Sequence, residues 1–208
     1  MSQTPSTAPG KDRPVIAPKL HHSTFLTLKL DEMVAWYQMV VGLTPVHYAP
    51  GEAAWLTNDE ANHRIALITH PDTKAPVDKP TSAGLHHTAF EYDNFDQWVD
   101  NYSRLKQVGI VPFMCLDHGI TMSMYYADPE GNGVEIQFDN FGDWSKSKEW
   151  MWASLEFASN PIGSWFDPDK IIAARDEGLS QDEIHQRARA GKYTPENPQT
   201  SILLPEVY

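Results

Sequence analysis

Leu20-His21-His22-Ser23 is answered 65 residues later by Leu85-His86-His87-Thr88, and the second copy runs on to Asp128-Pro129-Glu130-Gly131-Asn132-Gly133-Val134-Glu135-Ile136. The likeness extends beyond the histidine pairs. Phe25, Asp31, Trp36, Gly42 and Pro45 follow the first pair; Phe90, Asp93, Trp98, Gly109 and Pro112 follow the second. The offset is 65 at the histidines and 67 at the glycines, with slips in the turn and the early helix. Each copy reads as a strand, a helix, then more strands. Such duplication signals two equivalent supersecondary units that stack to bury a shared face.

Periodicity fills in the elements. Residues 22–30 alternate as a half-buried strand does. Asp31 is a fair N-cap, and Met33, Val34, Trp36, Tyr37, Val40 and Val41 share one helical face that Gly42 terminates. Residues 55–57 and 63–69 read as a hairpin, and the proline-rich stretch 71–80 links the copies. The second copy predicts a strand over 86–92, a helix over 95–107, and strands near 110–115, 122–127 and 133–138. The turn over 128–133 is strongly specified, because proline fixes φ and glycine accepts left-handed angles.

Outside the repeat, residues 1–19 read as a loose arm carrying Pro5, Pro9, Pro14 and Pro18 and no signal-peptide core. Residues 20–143 form the duplicated domain, with copies over 20–80 and 85–140. Beyond it, 144–208 read as an extension packed on the core or on a partner subunit. Trp144, Trp150 and Trp152 lie in its first segment. Asp167-Pro168-Asp169 caps a helix over 170–177, and Ser180 starts another. His185 falls on that charged helix and reads as solvent-exposed.

Composition bounds the function. The chain has 208 residues and a formal charge of −12, with 41% hydrophobic and 11% aromatic residues. That charge argues against nucleic acid, whose phosphates require a basic face, and against an anionic membrane surface. No apolar run approaches the roughly 20 residues that cross a bilayer. The one cysteine, Cys115, has no disulfide partner within the chain and fits a reducing cytoplasm.

Within this frame His22, His87 and Glu135 stand out. The two histidines occupy matched points of the repeat, and alternation puts Glu135 on one face of a strand. Two imidazoles and a carboxylate make the facial triad that holds Fe(II) with open positions. A solvated strand face is the plain alternative for the histidines; the repeat and Glu135 favour ligation. His21 and His86 point the other way along each strand, because side chains alternate, and both read as structural.

The duplicated strand–helix–three-strand unit, its paired histidines and the "DPEGNGVEIQ" segment resemble the vicinal oxygen chelate superfamily. The chain is most similar to its small type I extradiol ring-cleavage dioxygenases, over residues 20–140 and again at "NPIGSWFDPDKI". The resemblance implies an α+β fold. Two tandem βαβββ modules would form a shared half-barrel-like metal cavity, followed by a helical and extended C-terminal extension. It implies Fe(II), with Mn(II) as the alternative, bound by His22, His87 and Glu135. His63 in "NHRIAL" matches the family's acid/base histidine, although Asn62 replaces the histidine before it. Tyr125 stands ten residues before Glu135, the family spacing for a tyrosine that binds the substrate oxygen. His118 resembles a further family histidine, seventeen residues before Glu135 and slightly closer than the pattern.

The activity so implied is cleavage of a catechol-type diol with O₂ beside its hydroxyls. Trp55, Phe113, Phe138 and Trp144 are candidates for an apolar ring pocket. A metal-dependent isomerase or lyase of the glyoxalase or epimerase kind, and a small-molecule binding protein, are the alternatives. Such isomerases bring a fourth ligand from the first copy, where Ala66 aligns with Glu135. The aromatic extension leads us to expect a homo-oligomer.

Overall fold

The computed structural model describes residues 16–197 and 201–205. The N-terminal arm therefore lies outside the described residues up to residue 15, and 16–19 are exposed and without regular structure. The first module comprises β1 (Ser23–Leu26), α1 (Leu30–Val41), β2 (Thr44–Ala49), β3 (Ala53–Thr57) and β4 (Ile65–Ile68). The second comprises β5 (His87–Tyr92), α2 (Phe95–Gln107), β6 (Met114–Asp117), β7 (Thr121–Ala127) and β8 (Gly133–Asp139). After it come α3 (Trp144–Ala153), α4 (Leu155–Ser159), β9 (Ser164–Trp165), α5 (Pro168–Asp176) and α6 (Gln181–Arg189). None of the helices among the described residues is long and apolar enough to cross a membrane.

The protein is α+β, and its two modules take the form of two open sheets, ordered β1-β4-β3-β2 and β5-β8-β7-β6-β9. In each, the first strand pairs parallel with the last and the others pair antiparallel. Thr24 faces Ala66 across β1 and β4, as Ala89 faces Glu135 across β5 and β8. Thr24 is two residues past His22, and Ala89 two past His87. Ala66 therefore occupies the position in module one that Glu135 occupies in module two.

The helices carry the duplication with a constant offset. Leu30, Met33, Val34, Tyr37 and Val40 of α1 are buried, as are Phe95, Trp98, Val99, Tyr102 and Leu105 of α2. Each pair is 65 residues apart, so Met33 and not Trp36 is the counterpart of Trp98. Asp31 is likewise no cap. The helix starts one residue earlier, at Leu30, and Asp31 sits in its first turn, where a negative charge meets the positive end of the helix dipole. Gly42 ends α1 at φ 76°, its N–H bonded to the Gln38 carbonyl. Asn94 caps α2 by accepting from the Gln97 amide.

The core lies between the helices and one face of each sheet. Trp98 packs on Phe138 at 5.0 Å between ring centroids and on Phe166 at 5.9 Å. Its indole N–H donates to the Ile136 carbonyl at 2.9 Å. Phe166, Ile171, Ile184, Ala188 and Tyr193 of the extension belong to the same buried cluster. The extension also adds β9 to the edge of the second sheet beside β6. Its first aromatics behave differently: Trp150 is half-buried, while Trp144 and Trp152 are 72% and 93% exposed.

The turn after β7 joins the modules. Glu130 Oε1 accepts from Thr27 Oγ1 at 2.9 Å and from the Leu28 amide at 2.6 Å. Asp128 Oδ2 accepts from Tyr37 Oη at 3.2 Å.

Candidate metal centre

The second module builds its part of the site from three neighbouring strands. The Asp128 carboxylate accepts from the amides of Glu130 and Asn132 and from Asn132 Nδ2, which closes the β7–β8 turn. That turn sets the register in which Tyr125 lies directly across from Glu135. On the other side, β5 pairs with β8 so that His87 and Glu135 share a face, two residues apart in register. Gly133 permits the approach, since a Cβ there would lie 2.5 Å from the His86 carbonyl and 2.9 Å from His87 Cβ.

The result is a chain of polar contacts. His87 Nε2 is 2.9 Å from Glu135 Oε2. Tyr125 Oη donates to Glu135 Oε1 at 2.9 Å, and His118 Nε2 is 2.8 Å from Tyr125 Oη. Glu135 is 5% exposed. Met114 and Leu116 pack beside Tyr125, with Phe113 and Trp165 against them.

The first module gathers its own imidazoles. His22 immediately precedes β1 and His63 lies two residues before β4. Their rings stand 4.2 Å apart between centroids. His21 joins them, its Nδ1 3.1 Å from that of His22. The ligand atoms of His21, His22 and His63 all fall within 4.8 Å of one another. His86 and His87 likewise bring their Nδ1 atoms to 2.8 Å. Neither His21 nor His86 points away from its neighbour, because β1 and β5 begin after them and strand alternation does not apply.

The structure thus brings His87, Glu135, Tyr125 and His118 together, and His22 with His63. Among the described residues no hydrogen bond, ion pair or ring contact joins the two groups.

Residues 19–136 match the Glyoxalase/Bleomycin resistance protein/Dioxygenase superfamily. Two curated proteins of Rhodococcus globerulus are similar over nearly the whole chain. Biphenyl-2,3-diol 1,2-dioxygenase 2 is 37% identical over 90% of this chain and 97% of its own length. Biphenyl-2,3-diol 1,2-dioxygenase 3 is 36% identical over 91% and 99%. The chain belongs to this superfamily. Among solved members, a glyoxalase/dioxygenase from Nostoc punctiforme covers 62% of this chain and 99% of its own at 19% identity and a TM-score of 0.49. A lactoylglutathione lyase from Agrobacterium tumefaciens covers 59% and 95% at 20% identity and a TM-score of 0.48.

The electrostatics of this superfamily member follow from burial and contacts. Burial pushes the Glu135 carboxyl up, but hydrogen bonds from His87, Ser123 and Tyr125 outweigh it and hold the group below its ordinary pKa. Burial and the Glu135 charge push the Tyr125 phenol far up, so it keeps its proton. His63 is lowered by burial first, then by the neighbouring His22 and His21. Burial likewise lowers His118, against the pull of Glu135.

Arg64 is a site residue that pattern reading missed. Its Nη1 donates to the His21 carbonyl at 2.9 Å, while Nε and Nη2 hold Asp59 Oδ2 at 2.9 and 2.7 Å. It ties the loop carrying His63 to the segment carrying His22. The five-residue spacing of Asp59 and Arg64 within a hairpin loop was the available signal. Phe138 is not a pocket residue; it is 1% exposed on the core side of β8, opposite to Glu135. His185 is no free surface group either, since its Nδ1 is 2.7 Å from the buried Asp117 carboxylate.

Proposed function

We propose that the protein is a metal-dependent extradiol dioxygenase. It opens a catechol-type ring with O₂ beside the diol, at a site where His22, His87 and Glu135 hold Fe(II) or Mn(II). The observation that carries this is the contact chain His87–Glu135–Tyr125–His118, in a chain 37% identical over most of its length to a biphenyl-2,3-diol 1,2-dioxygenase.

Two of the three donors, His87 and Glu135, are spaced for such a metal, while His22 stands with His21 and His63, the one group of three possible ligands within 4.8 Å of one another among the described residues. Ligands at right angles on an ion about 2.1 Å away stand about 3 Å apart. The His87 and Glu135 ligand atoms are separated by 2.9 Å. Three protein ligands leave positions for two reactants. Ala66 offers only a methyl where a fourth ligand of the isomerase kind would stand, which favours the dioxygenase reading.

Once bound, the metal would supply Lewis-acid activation of the diol hydroxyls and a template for both reactants. The side chains do the remainder. A neutral imidazole nitrogen of His63 accepts a diol proton and returns it as the ring opens; burial and the neighbouring His22 and His21 lower its pKa and favour that neutral form. Tyr125 keeps its proton on Oη, so it serves as a hydrogen-bond donor and not as a base. His118 holds that hydroxyl from behind. Phe113, Met114 and Trp165 offer apolar surface beside Tyr125 for an aromatic ring.

The test is oxygen uptake. Anaerobically purified protein loaded with Fe(II) should consume one O₂ per catechol and give a yellow ring-opened product, with biphenyl-2,3-diol included in the panel. No uptake with either Fe(II) or Mn(II) would end the dioxygenase reading.

A further inference from the structure

The turn that carries His118 is fastened from outside the duplicated domain. Asp117, the last residue of β6, is fully buried. Its Oδ1 accepts from the Gly119 amide at 2.8 Å, and its Oδ2 meets His185 Nδ1 of α6 at 2.7 Å. Arg189, one helical turn further on, donates from Nη1 to the Asp117 carbonyl at 2.9 Å. Asn140 Nδ2 donates to the Gly119 carbonyl at 3.1 Å.

Packing closes the same turn. β9 pairs Ser164 with Asp117. A Cβ on Gly163 would come within 2.0 Å of the Asp117 carbonyl oxygen and 2.9 Å of His118 Cα. A Cβ on Gly119 would lie 2.4 Å from the Trp150 ring. The extension therefore presses on both sides of His118. The opposite end of His118 reaches Tyr125 Oη, and Tyr125 reaches Glu135.

A buried carboxylate is costly unless paired, and such a pair returns little net stability. Its gain here is position. We propose that His185 is a positioning residue for ring cleavage: from α6, through the Asp117 carboxylate, it fixes the turn that aims His118 at Tyr125. The kinetic half of this claim rests on the dioxygenase reading; the geometric half does not.

The experiment uses the full-length, Fe(II)-loaded protein and two readouts. One is catechol turnover. The other is the rate at which diethyl pyrocarbonate modifies His118, followed by peptide mass mapping. His185→Phe keeps ring volume and removes the hydrogen bond. It should lower kcat about tenfold or more with KM within about twofold, as misplacement of a catalytic group does. It should also speed modification of His118 by about threefold or more, as the loosened turn opens. His185→Asn keeps a donor near the Nδ1 position and should restore both readouts to within about twofold of the parent. A His185→Phe protein with parental kcat and parental His118 reactivity would overturn the proposal. So would a His185→Asn protein as impaired as His185→Phe. If His185→Phe does not fold, Arg189→Met releases the same turn from the same helix and carries the same two expectations. If the parent takes up no oxygen with any catechol while His185→Phe still exposes His118, the positioning role stands and the dioxygenase reading falls.

Discussion

Gly133 lies between the tight turn and the histidine that faces Glu135. A methyl group there would meet the His86 carbonyl and His87 Cβ inside van der Waals distance, so Gly133→Ala must push β8 away from β5. Metal content measured on the anaerobically purified variant should fall well below the parent's; full occupancy with parental kcat would show that β8 has room to move. His63 makes the opposite expectation. His63→Phe should retain metal and still bind catechol while losing about a hundredfold or more in kcat, the range typical of general acid–base groups. Unchanged kcat would remove the role. The residues of matched position were legible because a repeat announces them: His22 and His87 can be found by counting, and Glu135 stands out by strand alternation after a strongly specified turn. Arg64 and His185 were not, because each acts across the fold, on a carbonyl 43 residues away and a carboxylate 68 residues away. No local pattern encodes a partner at that distance.

Elements were legible where their signals are local. Residues 95–107 form the expected helix, and Ser180 heads α6 with a full capping box in which Glu183 reaches back to it. β2 was missed. It is an edge strand with a bulge between Pro45 and His47 and little burial, so it lacks the alternation that marks a half-buried strand. The two-residue β9 was missed too, because only its pairing with β6 defines it. Phe166, next to β9, inserts between β6 and α2, with its ring against Trp98. Phe166→Ala should destabilise the protein by about 3–5 kcal/mol, the usual cost of emptying such a site. Urea unfolding monitored by tryptophan fluorescence would measure it; a shift under about 1 kcal/mol would show that the cluster collapses to fill the gap.

At the scale of the whole molecule, the repeat foretold two modules but neither their strand pairing nor how the extension would attach. Its buried side chains fall on short interrupted helices, and only the partner surface distinguishes them from solvated ones. Ile171, Ile184 and Ala188 are buried in the same cluster as Trp98 and Phe138. Truncation after Asp143 should uncover that cluster, lower solubility and abolish cooperative unfolding. A soluble truncated protein with parental kcat, KM and mass in light scattering would show the extension to be dispensable.

Ala66 stands where symmetry would put a second Glu135, and that inequality has a consequence for how such a protein can be encoded. A gene for one module could make the whole only by self-association, and two identical subunits about a twofold axis contribute identical groups. Two copies of the second module would bring two carboxylates; two copies of the first would bring none. Under the proposed ligation, one carboxylate with two imidazoles is an odd number of acidic ligands, and no symmetric pair can deliver it. Joining the copies on one chain lets one half drift from the other. The asymmetry that leaves room for two reactants is thus available to two copies joined on one chain and closed to a symmetric pair of identical copies.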